Sequence, residues 1–173
     1  MRILGVDPAL RVTGYGVIEQ RDSGDHPTSL VEAGVISPKV DATLEIRLRE
    51  LHAGIAEVLA GTQPDCIVIE ELYSVYKNPL TAILMGHARG VLCLAGAQAG
   101  IPVYTLGHSH VKRALTGSGT ARKEQVNSMV MRLLSLRQAP KPLDVSDALA
   151  IALAYANLSM QNGKFNGVFA HRR

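Results

Sequence analysis

Residues 2–18 read Arg2-Ile3-Leu4-Gly5-Val6-Asp7-Pro8-Ala9-Leu10-Arg11-Val12-Thr13-Gly14-Tyr15-Gly16-Val17-Ile18. The run from Ile3 to Val6 is apolar with no helical period and ends on an acid, which predicts a strand over 2–7. Asp7-Pro8 then starts a turn, because an Asp side chain bonds the backbone that follows it and Pro presets φ. Gly14 to Ile18 reads as a second strand, and Leu30 to Ile36 as a third after the polar turn Asp22-Ser23-Gly24-Asp25. Connections this short favour an antiparallel meander, since parallel neighbours need a long crossover.

Outward from that meander the pattern changes. Leu44, Leu48, Leu51, Ile55 and Leu59 recur at three- and four-residue spacing and predict a helix over 41–60. Cys66 to Ile69 is apolar without alternation, as in a central strand covered on both faces, and it ends on Glu70. A helix rich in Ala and Gly is expected over 79–99, with Pro79 in its first turn and Gly86 and Gly90 on one face. The uncharged stretch from Gly90 to Gly107 has membrane-spanning length, but Gly96, Gln98, Gly100 and Pro102 interrupt it. It is read as the end of a buried helix followed by a buried strand at 103–106. Shorter helices are expected at 109–115 and 121–135, and a final apolar helix at 144–160. Three meander strands, then helix–strand–helix–strand, then helices give an α/β class. The sheet is mixed and five-stranded, three strands antiparallel and then two parallel, with helices on both faces in ribonuclease H-like order.

With 173 residues, 47% hydrophobic and 19% charged, the chain suits one folded domain, placed at 1–160, and argues against disorder. The polar, basic segment 161–173 is expected to be a disordered tail. No signal peptide is visible before Asp7, and Cys66 and Cys93 lie in apolar runs, as reduced core residues of a cytosolic protein do. The net charge of +3 says little alone, but residues 108–141 hold Lys112, Arg113, Arg122, Lys123, Arg132, Arg137 and Lys141 against Glu124 as the one acid. That distribution predicts a basic surface for nucleic acid.

Asp7, Glu70, Asp144 and Asp147 each sit where an apolar element meets its boundary. Brought together, they would form an oxygen-rich pocket for hard cations such as Mg²⁺ and for phosphoryl chemistry. Each also has an ordinary reading. Asp7 suits a turn, a Glu at a strand end is usually solvated, and Asp144 suits a helix N-cap with Asp147 in the favourable first turn. Side-chain alternation means that only one of Glu70 and Glu71 faces a given side, and spacing does not choose between them. Arg122 and Lys123 open a helix where cations oppose the dipole, a placement that favours a phosphate partner. Tyr73 and Tyr76 suit stacking on bases or packing alike. His87 is read as a packing residue inside an apolar helix, and His108 and His110 as surface residues without an acid nearby.

Taken together, Ile3-Leu4-Gly5-Val6-Asp7-Pro8, Arg11-Val12-Thr13-Gly14-Tyr15-Gly16, Ile69-Glu70-Glu71, Gly86-His87-Ala88-Arg89-Gly90 and Asp144-Val145-Ser146-Asp147-Ala148-Leu149-Ala150 closely resemble the RuvC family of bacterial Holliday junction resolvases, from residue 2 to about 158. The resemblance implies a ribonuclease H-like fold, a homodimer and Mg²⁺-dependent nicking of four-way DNA junctions in recombination and repair. Its catalytic and metal-binding acids fall on Asp7, Glu70, Asp144 and Asp147, which selects Glu70 over Glu71. Its junction-binding lysines fall on Lys112 and Lys123, and Tyr73 stands where the family usually has Phe against bases. Two Mg²⁺ ions per site, about 3.5–4 Å apart and replaceable by Mn²⁺, would relieve the repulsion among four acids. A branch-migration motor of the RuvA–RuvB type is the implied helper, and no membrane is involved. An actin–hexokinase-type ATP module would need a second Gly-rich phosphate turn near a late Asp, which Asp144-Val145-Ser146-Asp147 does not supply. A nuclease for RNA or RNA–DNA hybrids would carry the same acids, and a non-catalytic junction binder would not need all four.

Overall fold

The computed structural model describes residues 1–21, 28–72 and 79–162. Three strands, β1 (Arg2–Asp7), β2 (Thr13–Gln20) and β3 (Thr28–Ile36), precede α1 (Leu44–Thr62), β4 (Cys66–Glu70), α2 (Pro79–Gln98) and β5 (Val103–Leu106). Then come α3 (His108–Thr116), α4 (Lys123–Leu133) and α5 (Leu143–Asn162). The sheet order is β3-β2-β1-β4-β5. Pairing is antiparallel among the first three strands and parallel at β1–β4 and β4–β5, the mixed sheet expected from the sequence.

Alternation along the central strands divides the core in two. Leu4, Val6, Val17, Ile67 and Ile69 face α1 and α2. Ile3, Ile18, Cys66 and Val68 face α3, α4 and α5. The last helix is buried nearly all round, from Val145 through Ala156, as a helix apolar on every face must be. It lies directly on the sheet because the strands under it carry glycines. A Cβ on Gly5 would stand 2.2 Å from the Ala148 carbonyl oxygen, and one on Gly14 would stand 2.1 Å from that of Asp144. Gly14 and Gly5 therefore bring the α5 backbone closer to the sheet than any side chain would permit.

Helix α2 departs from its expected burial. Ala88, Leu92, Ala95 and Gly96 are buried on the α1 side, but Leu80, Ile83 and Leu94 are 59%, 55% and 52% exposed. His87 lies on that same outward stripe and is exposed, so it is not a packing residue of this chain. The helix itself is where the sequence placed it, but one apolar face of it points outward. By length and composition α2 could cross a membrane; its buried inner side instead docks it on this fold. Among the described residues both cysteines are free, Cys66 buried and Cys93 half-buried.

Candidate active site

Strand register explains the first two acids. Val6 of β1 stands beside Ile69 of β4 in a parallel pair, so the next residues, Asp7 and Glu70, end neighbouring strands at the same level. Both follow the parity of Ile3 and of Cys66 and Val68, the face covered by α5. Glu71 has the opposite parity and is exposed. The turn after Asp7 is tied by Thr13, a fully buried residue whose hydroxyl donates to the Ala9 carbonyl and accepts from the Ala9 N–H at 3.3 Å.

The other two acids arrive on α5. Asp7 pairs with Gly14 across β1–β2, and Gly14 is the residue on which the Asp144 backbone rests. The helix begins at Leu143, so Asp144 lies inside its first turn and is not the N-cap expected from the sequence. It still gains from the dipole there. Asp147 follows one turn later, and the buried Ser146 between them fixes the helix by donating to Asn127 Oδ1 of α4 at 2.8 Å.

Charge crowding is felt most at Asp7. Burial, reinforced by Glu70, Asp147 and Asp144, raises its carboxyl from 3.8 to about 7, against a smaller opposing pull from Lys123. Two of the other acids, Asp147 and Glu70, have side-chain partners. Lys123 Nζ of α4 donates to Asp147 Oδ2 at 2.6 Å, and His108 Nδ1 lies 2.8 Å from Glu70 Oε1. Burial disfavours the Lys123 ammonium, but the hydrogen bond and charge of Asp147, with Asp7 and Asp144, outweigh it and raise its pKa. No three His, Cys, Asp or Glu side chains stand close enough together to form a ready-made metal group among the described residues. The donor set itself fits a hard divalent cation: it is all carboxylate oxygen, and one member is pushed toward neutrality by burial and by neighbouring negative charges that a cation would offset.

Glu70, His108, Lys112, Lys123 and Asp147 line a common cavity of about 120 Å³, floored by Val111, Val126, Ala150 and Ile151. The two lysines singled out in the sequence thus flank two of the acids. Arg122 is exposed at the N-cap of α4, its backbone N–H donating to Gln125 Oε1 at 2.8 Å, so the helix starts later than the expected 121. Tyr73 and Tyr76 lie outside the described residues, as does the segment from 163 onward. Two contacts escaped the sequence. His108 has an acid beside it after all. Arg89, within the apolar stretch of α2, donates from Nη1 to the Glu70 carbonyl at 3.0 Å and from Nη2 to Thr105 Oγ1 at 2.6 Å. A lone arginine on the inner side of an apolar helix was the signal for it.

Comparison with known proteins points the same way. The family model "Crossover junction endodeoxyribonuclease RuvC" matches residues 3–155. The protein of that description from Rhodopirellula baltica is 48% identical over 151 residues, covering 87% of this chain and 83% of the relative. The one from Desulforamulus reducens is 44% identical over 163 residues, covering 94% and 98%. The solved structure "T. thermophilus RuvC in complex with Holliday junction substrate" superposes with a TM-score of 0.87 at 35% identity, over 93% of this chain and 96% of that one. By fold, by matched length and by identity, the chain belongs to the RuvC family.

Proposed function

We infer that this chain is a structure-selective DNA endonuclease that resolves four-way junctions by paired symmetric nicks, through divalent-metal-dependent hydrolysis of phosphodiester bonds. The observation that carries this reading is the convergence of strand ends and helix start: Asp7 and Glu70 at one level of the sheet, Asp144 on Gly14 beside Asp7, and Asp147 one turn on. The Thermus thermophilus relative is described with Holliday junction substrate. Asp7, Glu70, Asp144 and Asp147 are the residues that would hold the cation, with Mg²⁺ favoured by the all-oxygen donor set. When bound, it supplies the positive charge that activates a water and stabilises the leaving 3′-oxygen. The carboxylates fix where that charge sits. Lys123, kept cationic by its acidic neighbours, and Lys112 across the same cavity offer countercharge to a phosphate, with Arg122 next in line on the surface. Binding is therefore phosphate-driven and weakens steeply with salt. Tyr73 is proposed to stack on bases near the crossover.

A two-fold dimer presents two identical sites to a junction of near two-fold symmetry. We place the dimer contact on the outward stripe of α2, where Leu80, Ile83 and Leu94 are exposed and a Cβ on Gly86 or Gly90 would meet nothing within 4 Å of its own chain. Gly90→Leu is expected to convert dimer to monomer in sedimentation velocity, and an intact dimer would refute that placement. Residues 1–160 act as one domain in the bacterial cytoplasm, and a branch-migration motor of the RuvA–RuvB type is the proposed partner.

The decisive assay compares a synthetic four-way junction, a matched duplex and an RNA–DNA hybrid, each with Mg²⁺, with Mn²⁺ and without metal. Symmetric nicking of the junction alone, dependent on the cation, is the expected result. Preferential cutting of the hybrid would overturn the substrate assignment.

A further inference from the structure

His108 opens α3 directly after the turn that leaves β5, and its ring is 56% exposed. Its Nδ1 stands 2.8 Å from Glu70 Oε1. An ionised carboxylate only accepts, so Nδ1 carries the hydrogen in this contact. The main chain of the same glutamate is gripped from the other side by Arg89, through the Glu70 carbonyl. Glu70 is therefore tied at backbone and at side chain, by residues from two different helices. A free glutamate at a strand end samples many rotamers, whereas this one has a single oxygen engaged by an imidazole and a second left for a ligand.

We propose that His108 is a positioning residue for Glu70, its Nδ1–H orienting the carboxylate so that the other oxygen serves the cation of the nuclease site. The proposal rests on the reading of Glu70 as a cation-holding carboxylate. Hydrogen-bond partners that orient metal-ligating carboxylates are typically worth about 10- to 100-fold in metal affinity. The opposite role, a cationic ring competing with the metal for Glu70, predicts the opposite sign, so one titration separates the two. The exposed ring contributes little to the core, which makes its replacement a clean test of the carboxylate it touches.

The experiment is calorimetric titration of Mn²⁺ into the DNA-free dimer at pH 8, for the wild-type chain, His108→Ala and His108→Asn. Thermal unfolding and metal-free binding of a four-way junction are measured alongside. Asn returns an N–H donor near the place of Nδ1 and cannot titrate. The expected result is Mn²⁺ affinity weakened about tenfold or more in His108→Ala, largely recovered in His108→Asn, with junction affinity and unfolding temperature nearly unchanged. Equal or tighter Mn²⁺ binding by His108→Ala, or no recovery in His108→Asn, overturns the proposal. Failure of the wild-type chain itself to bind Mn²⁺ overturns the underlying assignment of Glu70 as well, and that control tells the two failures apart.

Discussion

Asp7→Asn is expected to abolish junction nicking and, in the same protein, to raise the stability of the metal-free fold at pH 8. The first effect follows from removing a charged oxygen from the centre of the acid group, and Glu70→Gln should share it, both variants still binding the junction. The second follows from linkage. In the folded chain burial and three neighbouring acids lift the Asp7 carboxyl from 3.8 to about 7. Between those values the folded state holds a proton that the unfolded state has lost, so this group's contribution falls as pH rises through the window and is fully unfavourable above 7. At about 1.4 kcal/mol per pKa unit the penalty amounts to a few kcal/mol, and Asn does not incur it. Urea unfolding without metal should therefore find the two proteins alike near pH 4 and Asp7→Asn more stable by about 2–4 kcal/mol at pH 8. Added Mg²⁺ should stabilise the wild-type chain by mass action and leave the variant nearly unmoved. Since the same proton must leave for a cation to bind, wild-type metal affinity should drop below pH 7. Wild-type nicking by Asp7→Asn, or a variant less stable than wild type at pH 8, would sink the assignment.

Gly14→Ala should damage fold and activity together. The added Cβ would lie 2.1 Å from the Asp144 carbonyl oxygen, 2.4 Å from its carbon and 2.9 Å from its Cβ. The first two are backbone atoms of a helix wedged between the sheet and α3 and α4, so no flexible side chain can swing aside. Either α5 lifts or β2 buckles, at a cost of about 1–3 kcal/mol or more. Because Asp144 and Asp147 ride on the part that moves, nicking should fall by about 10²-fold, the scale set by misplacing a catalytic group by about 1 Å. Gly61→Ala is the control: it lies in α1 with nothing within 4 Å of its added Cβ, and should leave nicking unchanged while stabilising the helix by up to about 1 kcal/mol. Wild-type unfolding and nicking by Gly14→Ala would show that the close approach of α5 is not what aligns the acids.

Periodicity carried most of the fold. The run from Ile3 to Val6 and that from Cys66 to Ile69 are short, apolar and bounded, and both became central strands. Alternation then decides which of two adjacent glutamates faces α5, once the register of β1 against β4 is known. What periodicity cannot supply is the direction in which an apolar face looks. His87 was read as a packing residue, yet it lies on an outward apolar stripe of α2, because pattern alone does not distinguish a core from an exposed face. Helix starts were likewise blurred. Pro142 and Leu143 carry no capping side chain, so Asp144 looked like the cap although the helix begins before it. The His108–Glu70 contact was illegible because it joins residues 38 apart in sequence through a turn at Gly107 that aims α3 back across the end of β4. The Gly5, Gly14 and Gly16 series was visible as a motif, but its reason lay on another element: Gly16 faces Leu149 as Gly14 faces Asp144.

The seat of Asp144 on Gly14 also has a consequence in time. Translation delivers Asp7, Glu70 and all five strands of the sheet before residues 144 and 147 leave the ribosome. A nascent chain therefore carries half of its acids on an uncovered glycine track and cannot form the complete group. On the proposed assignment of the four acids, a DNA-cutting centre whose last pieces arrive on the last helix stays incomplete during its own synthesis, and becomes whole only when that helix closes over the sheet.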